Sequence, residues 1–372
     1  MKIAAICCAN GFGHSKRLIR ILNHCARRFP VKAITFFCDT RGFREFDSWQ
    51  EFGSLRERCA VELVDVWLPL RWNLNSDYYG EWLLDWHTTI RSWGLRNFDY
   101  VLSDNLVEPL LYARRATLCG SFLWHEVLFS AFPGNRVIER YRFWCKGILD
   151  SLQPHVIANR YFATSAVMAQ INVHLIGLVH FSRARETERT NPLPIRGLVA
   201  LGAAQAADGT ADKLSRAVRS MRAAGMEIFV PLVLFETLRA GCSEIRPFDF
   251  WDDNLQTVDL AVIRGGLGTI SDCIAARVPM LYVEDPDPEI RFNQARLDQL
   301  GIGLSLDRCL SKDSETFTSP LGYRDMVSKM AGFDLKGHVE AADILARLWG
   351  LQYTSESSAD CNERRKEPEW LS

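Results

Sequence analysis

The chain has 372 residues, 48% of them hydrophobic and 24% charged, with a net charge of −1. That composition excludes collagen-like, low-complexity and disordered classes, and near-neutrality gives no broad cationic face for nucleic acid. The length exceeds what one small core supports and sets the expectation of two domains.

No window reaches the roughly 18 apolar residues that a membrane helix needs. Lys2, a short apolar run and then Asn10-Gly11 do not read as a secretory signal. The 11 cysteines are scattered, none in a C-x-x-C pair, and the eight histidines lack metal-ligand spacing. The expectation is a cytoplasmic protein with reduced thiols, no metal site and no cofactor.

Residues 3–9 read as a buried strand. Leu18, Ile21, Leu22, Cys25 and Phe29 then recur at helical spacing. Further strands are expected at 31–38, 61–67, 100–104 and 117–123, with a tryptophan-rich helical region before 100–104. Short apolar runs follow at 156–158 and 173–176. Residues 181–196 are charged and contain proline, and read as a linker. A second series begins with strands at 197–201, 227–234, 260–264 and 279–284 and a helix at 211–225. The polar tail from 355 to 372 is expected to be disordered. Strands alternating with helices predict an α/β fold with parallel sheets covered on both faces. Domains are expected over 1–180 and 197–354, facing a cleft.

Two glycine loops end strands and are therefore expected at that cleft. The first is Asn10-Gly11-Phe12-Gly13-His14. Gly11 and Gly13 permit close approach of a ligand, and His14 at a helix start is a candidate general base. A plain turn with a packed histidine is the alternative. The second loop is Arg264-Gly265-Gly266-Leu267-Gly268-Thr269, ahead of a helix expected to start near Thr269. Its amides suit phosphate oxygens at a helix N-terminus. The Thr269 hydroxyl would cap the helix or bond a phosphate. Asp272, one turn in, would accept bonds from ribose hydroxyls or serve the helix dipole.

The stretch RGGLGTISDCIAARVPMLYVEDP…RFNQA resembles the donor-nucleotide segment of GT-B glycosyltransferases, of the MurG-like and macrolide-glycosyltransferase types. ANGFGHSKR resembles their N-terminal G-x-G-H motif, and SDNLVEPLLYARRA their acceptor-side strand and loop. The resemblance implies two Rossmann-like domains, an N-terminal one for the acceptor and a C-terminal one for the donor. It implies a metal-independent enzyme that moves a sugar from a nucleotide diphosphate, UDP above all, to an acceptor hydroxyl. That acceptor would be a small molecule or lipid-linked, a secondary metabolite or a cell-envelope precursor. His14 would deprotonate it or stabilise charge near the reacting carbon, with Asp104 orienting His14 or binding acceptor; a helix cap is the other reading of Asp104. Asn10 and Ser15 would help by hydrogen bonding. Asp272 stands at the ribose-binding Glu, and Phe248 at the residue whose backbone meets the base. Arg264 is either a donor-site residue or an ion-pair partner.

The family pattern is departed from at Arg291, where the sugar-binding Gln is expected, and at Gln294, where Asn is expected. The loop after Leu201 keeps Gly202 but lacks a double glycine. GFGHSKR also resembles the loop of the UDP-sugar hydrolase of pseudaminic acid synthesis. Hydrolysis, and a non-catalytic nucleotide-sugar-binding subunit, therefore stay as alternatives.

Trp67, Trp72, Trp82, Trp86 and Trp93, with Tyr78 and Tyr79, are expected to pack in the core rather than stack on a ligand. Residues 132–147 mix basic and aromatic side chains and read as a solvated helix face. Peripheral contact with the inner face of a membrane is the competing reading. His87, His125, His155 and His174 are expected to be structural.

Overall fold

A computed structural model describes residues 1–43, 46–181, 184–185, 193–201, 210–239, 244–249, 254–311 and 320–351. The first series forms β1 (Lys2–Ile6), β2 (Ala33–Cys38), β3 (Ala60–Asp65), β4 (Tyr100–Asp104), β5 (Ala116–Cys119), β6 (His155–Asn159) and β7 (Val173–Ile176). These pair in the order β3-β2-β1-β4-β5-β6-β7, all parallel. The second series forms β8 (Arg196–Ala200), β9 (Glu227–Pro231), β10 (Ile245–Phe248), β11 (Leu260–Ile263), β12 (Met280–Tyr282) and β13 (Gly303–Ser305). Their order is β10-β9-β8-β11-β12-β13, again all parallel.

Period-two alternation sorts each strand between two cores. Ile3, Ala5, Ile34, Phe36 and Leu102 face the helices Phe12–Arg28 and Gln50–Arg58. Ala4, Ile6, Phe37 and Val101 face the opposite core, with Trp86, Trp124 and Tyr141. Of the aromatic segment, Tyr79 and Trp86 are buried in this core, Trp72, Tyr78, Trp82 and Trp93 pack against it half-buried, and Trp67 is 56% exposed. The helix Arg136–Leu152 buries Ile138, Tyr141 and Cys145 and turns Phe143 outward. Among the described residues no helix is long and apolar enough to cross a membrane.

The strand at residue 3 ends at Ile6 rather than residue 9, where the chain breaks off toward Gly11. The strand expected over 227–234 stops at Pro231, and Leu232–Arg239 is helical. β13 was not expected, because three residues, Gly303–Ser305, carry no readable period. Of the expected linker, residues 182–183 and 186–192 lie outside the described residues, as do Gly202 and the tail 355–372.

The helix Gly337–Trp349 belongs by sequence to the second unit but packs on the first sheet. Ala341, Leu345 and Trp349 join its core, Trp349 stacks on Tyr100 at 4.6 Å, and Arg28 pairs with Asp343 at 2.5 Å. The chain therefore crosses between the units twice, and the crossings bond to each other. Leu178 N–H donates to Asp334 C=O at 2.7 Å and Gly337 N–H to Leu178 C=O at 3.2 Å. A Cβ on Gly337 would overlap the Gly177 carbonyl. Gly337→Ala is therefore expected to destabilise the protein by about 1–3 kcal/mol, the usual range for overpacking. Gly147→Ala, in open space inside a helix, is expected to stabilise it by about 0.5–1 kcal/mol. Urea unfolding of the two variants checks the contrast, and equal midpoints would contradict it.

A buried acid lies beside the first sheet. Glu108 is fully buried, and the Tyr141 hydroxyl donates to its Oε1 at 2.5 Å. Burial pushes its carboxyl up to about 7 against an ordinary 4.5, although the Tyr141 bond pulls the other way. The folded chain therefore holds this proton more tightly than the unfolded one. The stabilisation is complete below about pH 4.5 and fades as pH rises through about 7, by about 3 kcal/mol. Glu108→Gln should remove that loss. Unfolding free energies at pH 5 and pH 8 test it; the same fall in both proteins would contradict it.

Candidate active site

Both glycine loops sit at the point where strand order reverses, between β1 and β4 in one sheet and between β8 and β11 in the other. Ligands of open parallel sheets bind at such switch points. After β1, Gly11 has φ 98°, a conformation that L side chains resist, and caps the helix Phe12–Arg28. His14, 7% exposed, lies in its first turn. β4 ends on Asp104, which is fully buried.

His14 Nδ1 lies 2.7 Å from Asp104 Oδ1. Arg17, one turn after His14, donates to the same carboxylate from Nε at 3.0 Å and Nη2 at 2.7 Å. Burial opposes ionisation of Asp104, but the Arg17 and His14 charges outweigh it and hold its carboxyl below the ordinary value. An ionised carboxylate only accepts, so the proton between the pair belongs to His14 Nδ1, and Nε2 is the basic nitrogen. Of the roles expected for Asp104, this geometry matches orienting His14.

The wall behind the pair is tightly built. Asn105 has φ 56°, and its Nδ2 lies 3.2 Å from His14 Nδ1. A Cβ on Gly120 would overlap the Asn105 side chain. Phe122 meets the His14 ring edge-on at 5.9 Å. Asn10 accepts from Trp72 N–H at 3.1 Å and so ties the loop to the aromatic segment.

In the second unit, the helix Leu267–Ala276 starts two residues before Thr269. Gly266 is its N-cap, so Thr269 is inside the first turn and not the cap. The first intrahelical bond runs from Ile270 N–H to Gly266 C=O at 3.0 Å, which leaves the N–H groups of 267–269 ahead of the ladder. Gly13 and Gly268 bring the two loops into backbone contact: a Cβ on Gly268 would lie 3.5 Å from Gly13 Cα.

Asp272 is buried, and its Oδ1 accepts from Phe181 N–H at 2.5 Å. Lys16 lies near enough to Asp272 to couple with it; burial pushes its ammonium down and Asp272 partly offsets that. Arg264 pairs with Asp285 at 2.5 Å and with Asp287 at 3.5 Å, the ion-pair reading of this residue. Gly265, at φ 114°, carries the loop. Gln294 donates to the carbonyls of Arg264 and Val283, both at 2.7 Å, and Asn293 to that of Gly265 at 3.1 Å. Gln294 thus holds the loop backbone. Arg291 is exposed in the first turn of the helix Pro288–Leu300. Phe248 ends β10, separated from β11 by β9 and β8, and packs on Phe229 at 6.2 Å.

Sequence reasoning missed Arg17, Asn105, Gly120 and Glu289. Arg17 had a signal, since a residue three after His14 shares its helix face. Glu289 comes from the second unit and couples electrostatically to Arg17 and Asp104; burial and the neighbouring Asp287 push its carboxyl upward. Nothing local in the sequence marks it.

No protein-family model matches the sequence, and no curated protein sequence does either. Solved structures do match. A glycosyltransferase of kitacinnamycin superposes with a TM-score of 0.63 at 17% identity, covering 93% of this chain and 98% of that one. The calicheamicin glycosyltransferase CalG4 gives 0.59 at 13%, covering 94% and 98%. LpCGTa, solved in complex with UDP, gives 0.60 at 12%, covering 93% and 99%.

The chain has the GT-B fold. The first glycine loop, which leads into the His14–Asp104–Arg17 cluster, and the second loop meet at the contact of Gly13 with Gly268.

Proposed function

We propose that this protein is a glycosyltransferase that moves a sugar from a nucleotide diphosphate, most simply UDP, to an acceptor hydroxyl. The observation that carries the reading is the buried Asp104–His14 pair, which begins one residue after the contact of Gly13 with Gly268 at the second glycine loop. His14 Nε2 takes the acceptor proton while Nδ1–H stays on Asp104, which steadies the imidazolium as it forms. Arg17 keeps Asp104 ionised in its buried site. The N–H groups of 267–269 and the helix dipole offset the charge of the departing diphosphate, so the proposal uses no metal. Asp272 is assigned to the ribose, which requires its bond to Phe181 to rearrange. The acceptor is a secondary metabolite or an envelope precursor. A UDP-complexed structural neighbour and two neighbours named as glycosyltransferases support the reading.

The test is release of nucleoside diphosphate from sugar donors with and without a mixed panel of hydroxyl acceptors. Acceptor-dependent release with a glycosylated product is expected. Free sugar at full rate without acceptor would replace transfer by hydrolysis.

A further inference from the structure

Arg17, Arg264 and Lys16 lie near the contact of the two glycine loops, and their partners differ. Arg17 is bonded to Asp104, and Arg264 to Asp285 and Asp287. Lys16 stands three residues after Gly13, one turn along the helix Phe12–Arg28 and on the same face. Gly13 is the residue that meets Gly268, so this face is turned to the second glycine loop.

Phe181, on the crossing between the units, marks where the Lys16 ammonium sits. Its Nζ lies 5.5 Å from the centre of the Phe181 ring. The edge of that ring would lie 4.0 Å from a Cβ on Gly268, and the Phe181 N–H donates to Asp272. Lys16 couples electrostatically to Asp272, in the second turn of the helix Leu267–Ala276. A side chain of the first unit thus reaches the start of a helix in the second. Burial pushes its ammonium below the ordinary range, and Asp272 offsets part of that. A cation stripped of water gains more from an arriving anion than an exposed one does.

A nucleoside diphosphate at that helix start brings several negative charges, and breaking its bond to the sugar leaves one more. The helix terminus supplies only about half a positive charge. We propose that Lys16 is the cation that meets the donor's diphosphate, supplied by the first unit to a site otherwise built from the second. The proposal rests on the reading of the protein as a sugar transferase. On binding, the ammonium moves from Asp272 to a phosphate oxygen, and Asp272 turns to the ribose. The electron pair of the breaking anomeric C–O bond goes to the diphosphate, the acceptor oxygen bonds the anomeric carbon, and the acceptor proton goes to His14. Lys16 keeps its own proton throughout. The donor thereby ties the two units together.

The test titrates the full chain with UDP and with uridine, in the wild type, Lys16→Met and Lys16→Arg. Lys16→Met should weaken UDP by about 10–100-fold, the usual worth of a charged contact, and change uridine by less than about twofold. Lys16→Arg, which keeps the charge, should recover most of the loss. Added salt should weaken UDP more in the wild type than in Lys16→Met. Reductive methylation of the wild type, read by mass spectrometry, should label Lys16 less with UDP bound than with uridine bound. Equal UDP affinity in the wild type and Lys16→Met, or equal labelling with the two ligands, would overturn the proposal and leave the transferase reading standing. Equal losses of UDP and uridine would make Lys16 a structural tie to Asp272 instead. A wild type that binds no nucleoside diphosphate would overturn both. Where another base is preferred, its own diphosphate and nucleoside replace UDP and uridine.

Discussion

His14→Ala is expected to lower turnover by about 10²–10⁴-fold, the usual worth of a positioned general base. The reason is the chemistry of an acceptor hydroxyl. It is a poor nucleophile until its proton is taken, and His14 Nε2 is the basic atom at the junction of the two loops. Donor affinity should change little, because the backbone groups proposed to meet the phosphates lie in the second unit, at the helix start 267–269. The signature is therefore a fall in kcat with nearly constant donor binding. Steady-state kinetics beside a donor titration separates the two. Turnover within a few fold of wild type would remove His14 from the role of base. Lost donor binding would instead make it a binding residue.

Asp104→Ala is expected to cost about 3–5 kcal/mol of stability as well as activity. Arg17 is 13% exposed and spends its guanidinium on this one carboxylate, at 2.7–3.0 Å. Removing the acid leaves a largely buried cation that has lost its directly bonded carboxylate, with only the weaker coupling to Glu289 in its place. The effect should reverse when both charges go. Asp104→Leu with Arg17→Met should regain most of the stability while remaining inactive. Urea unfolding of the three proteins decides the matter. A single variant as stable as wild type would mean that Arg17 reaches solvent or another acid. A double variant no better than the single one would mean that the loss comes from the packing around Asn105 and Gly120.

The first sheet was legible because its strands carry clean apolar runs, β1 and β2 above all, and because Leu18, Ile21, Leu22 and Cys25 repeat at a helical spacing. The loops at Gly11 and Gly265 were legible for a different reason: glycines at strand ends mark places where backbone must pass close to something. What was not legible is mostly long-range. The return of the helix Gly337–Trp349 to the first sheet depends on Trp349 finding Tyr100, 249 residues away in sequence. The roles of Gln294 and Arg264 depend on which carbonyls and acids lie in front of them in space. Glu289 is invisible for the same reason, since its charged neighbours Arg17 and Asp104 come from the other half of the chain. Thr269 was displaced from the cap because Gly266, with no side chain, already occupied that position.

The most direct single measurement is thermal unfolding of the full chain with UDP, TDP, GDP, CDP, ADP and their sugars. A nucleotide-sugar site at the second glycine loop predicts selective stabilisation by one base class. At about 100 times its Kd, that ligand should add roughly 2.7 kcal/mol, with His14→Ala stabilised equally. No stabilisation by any nucleotide would contradict the donor site, and with it the assignment of sugar transfer.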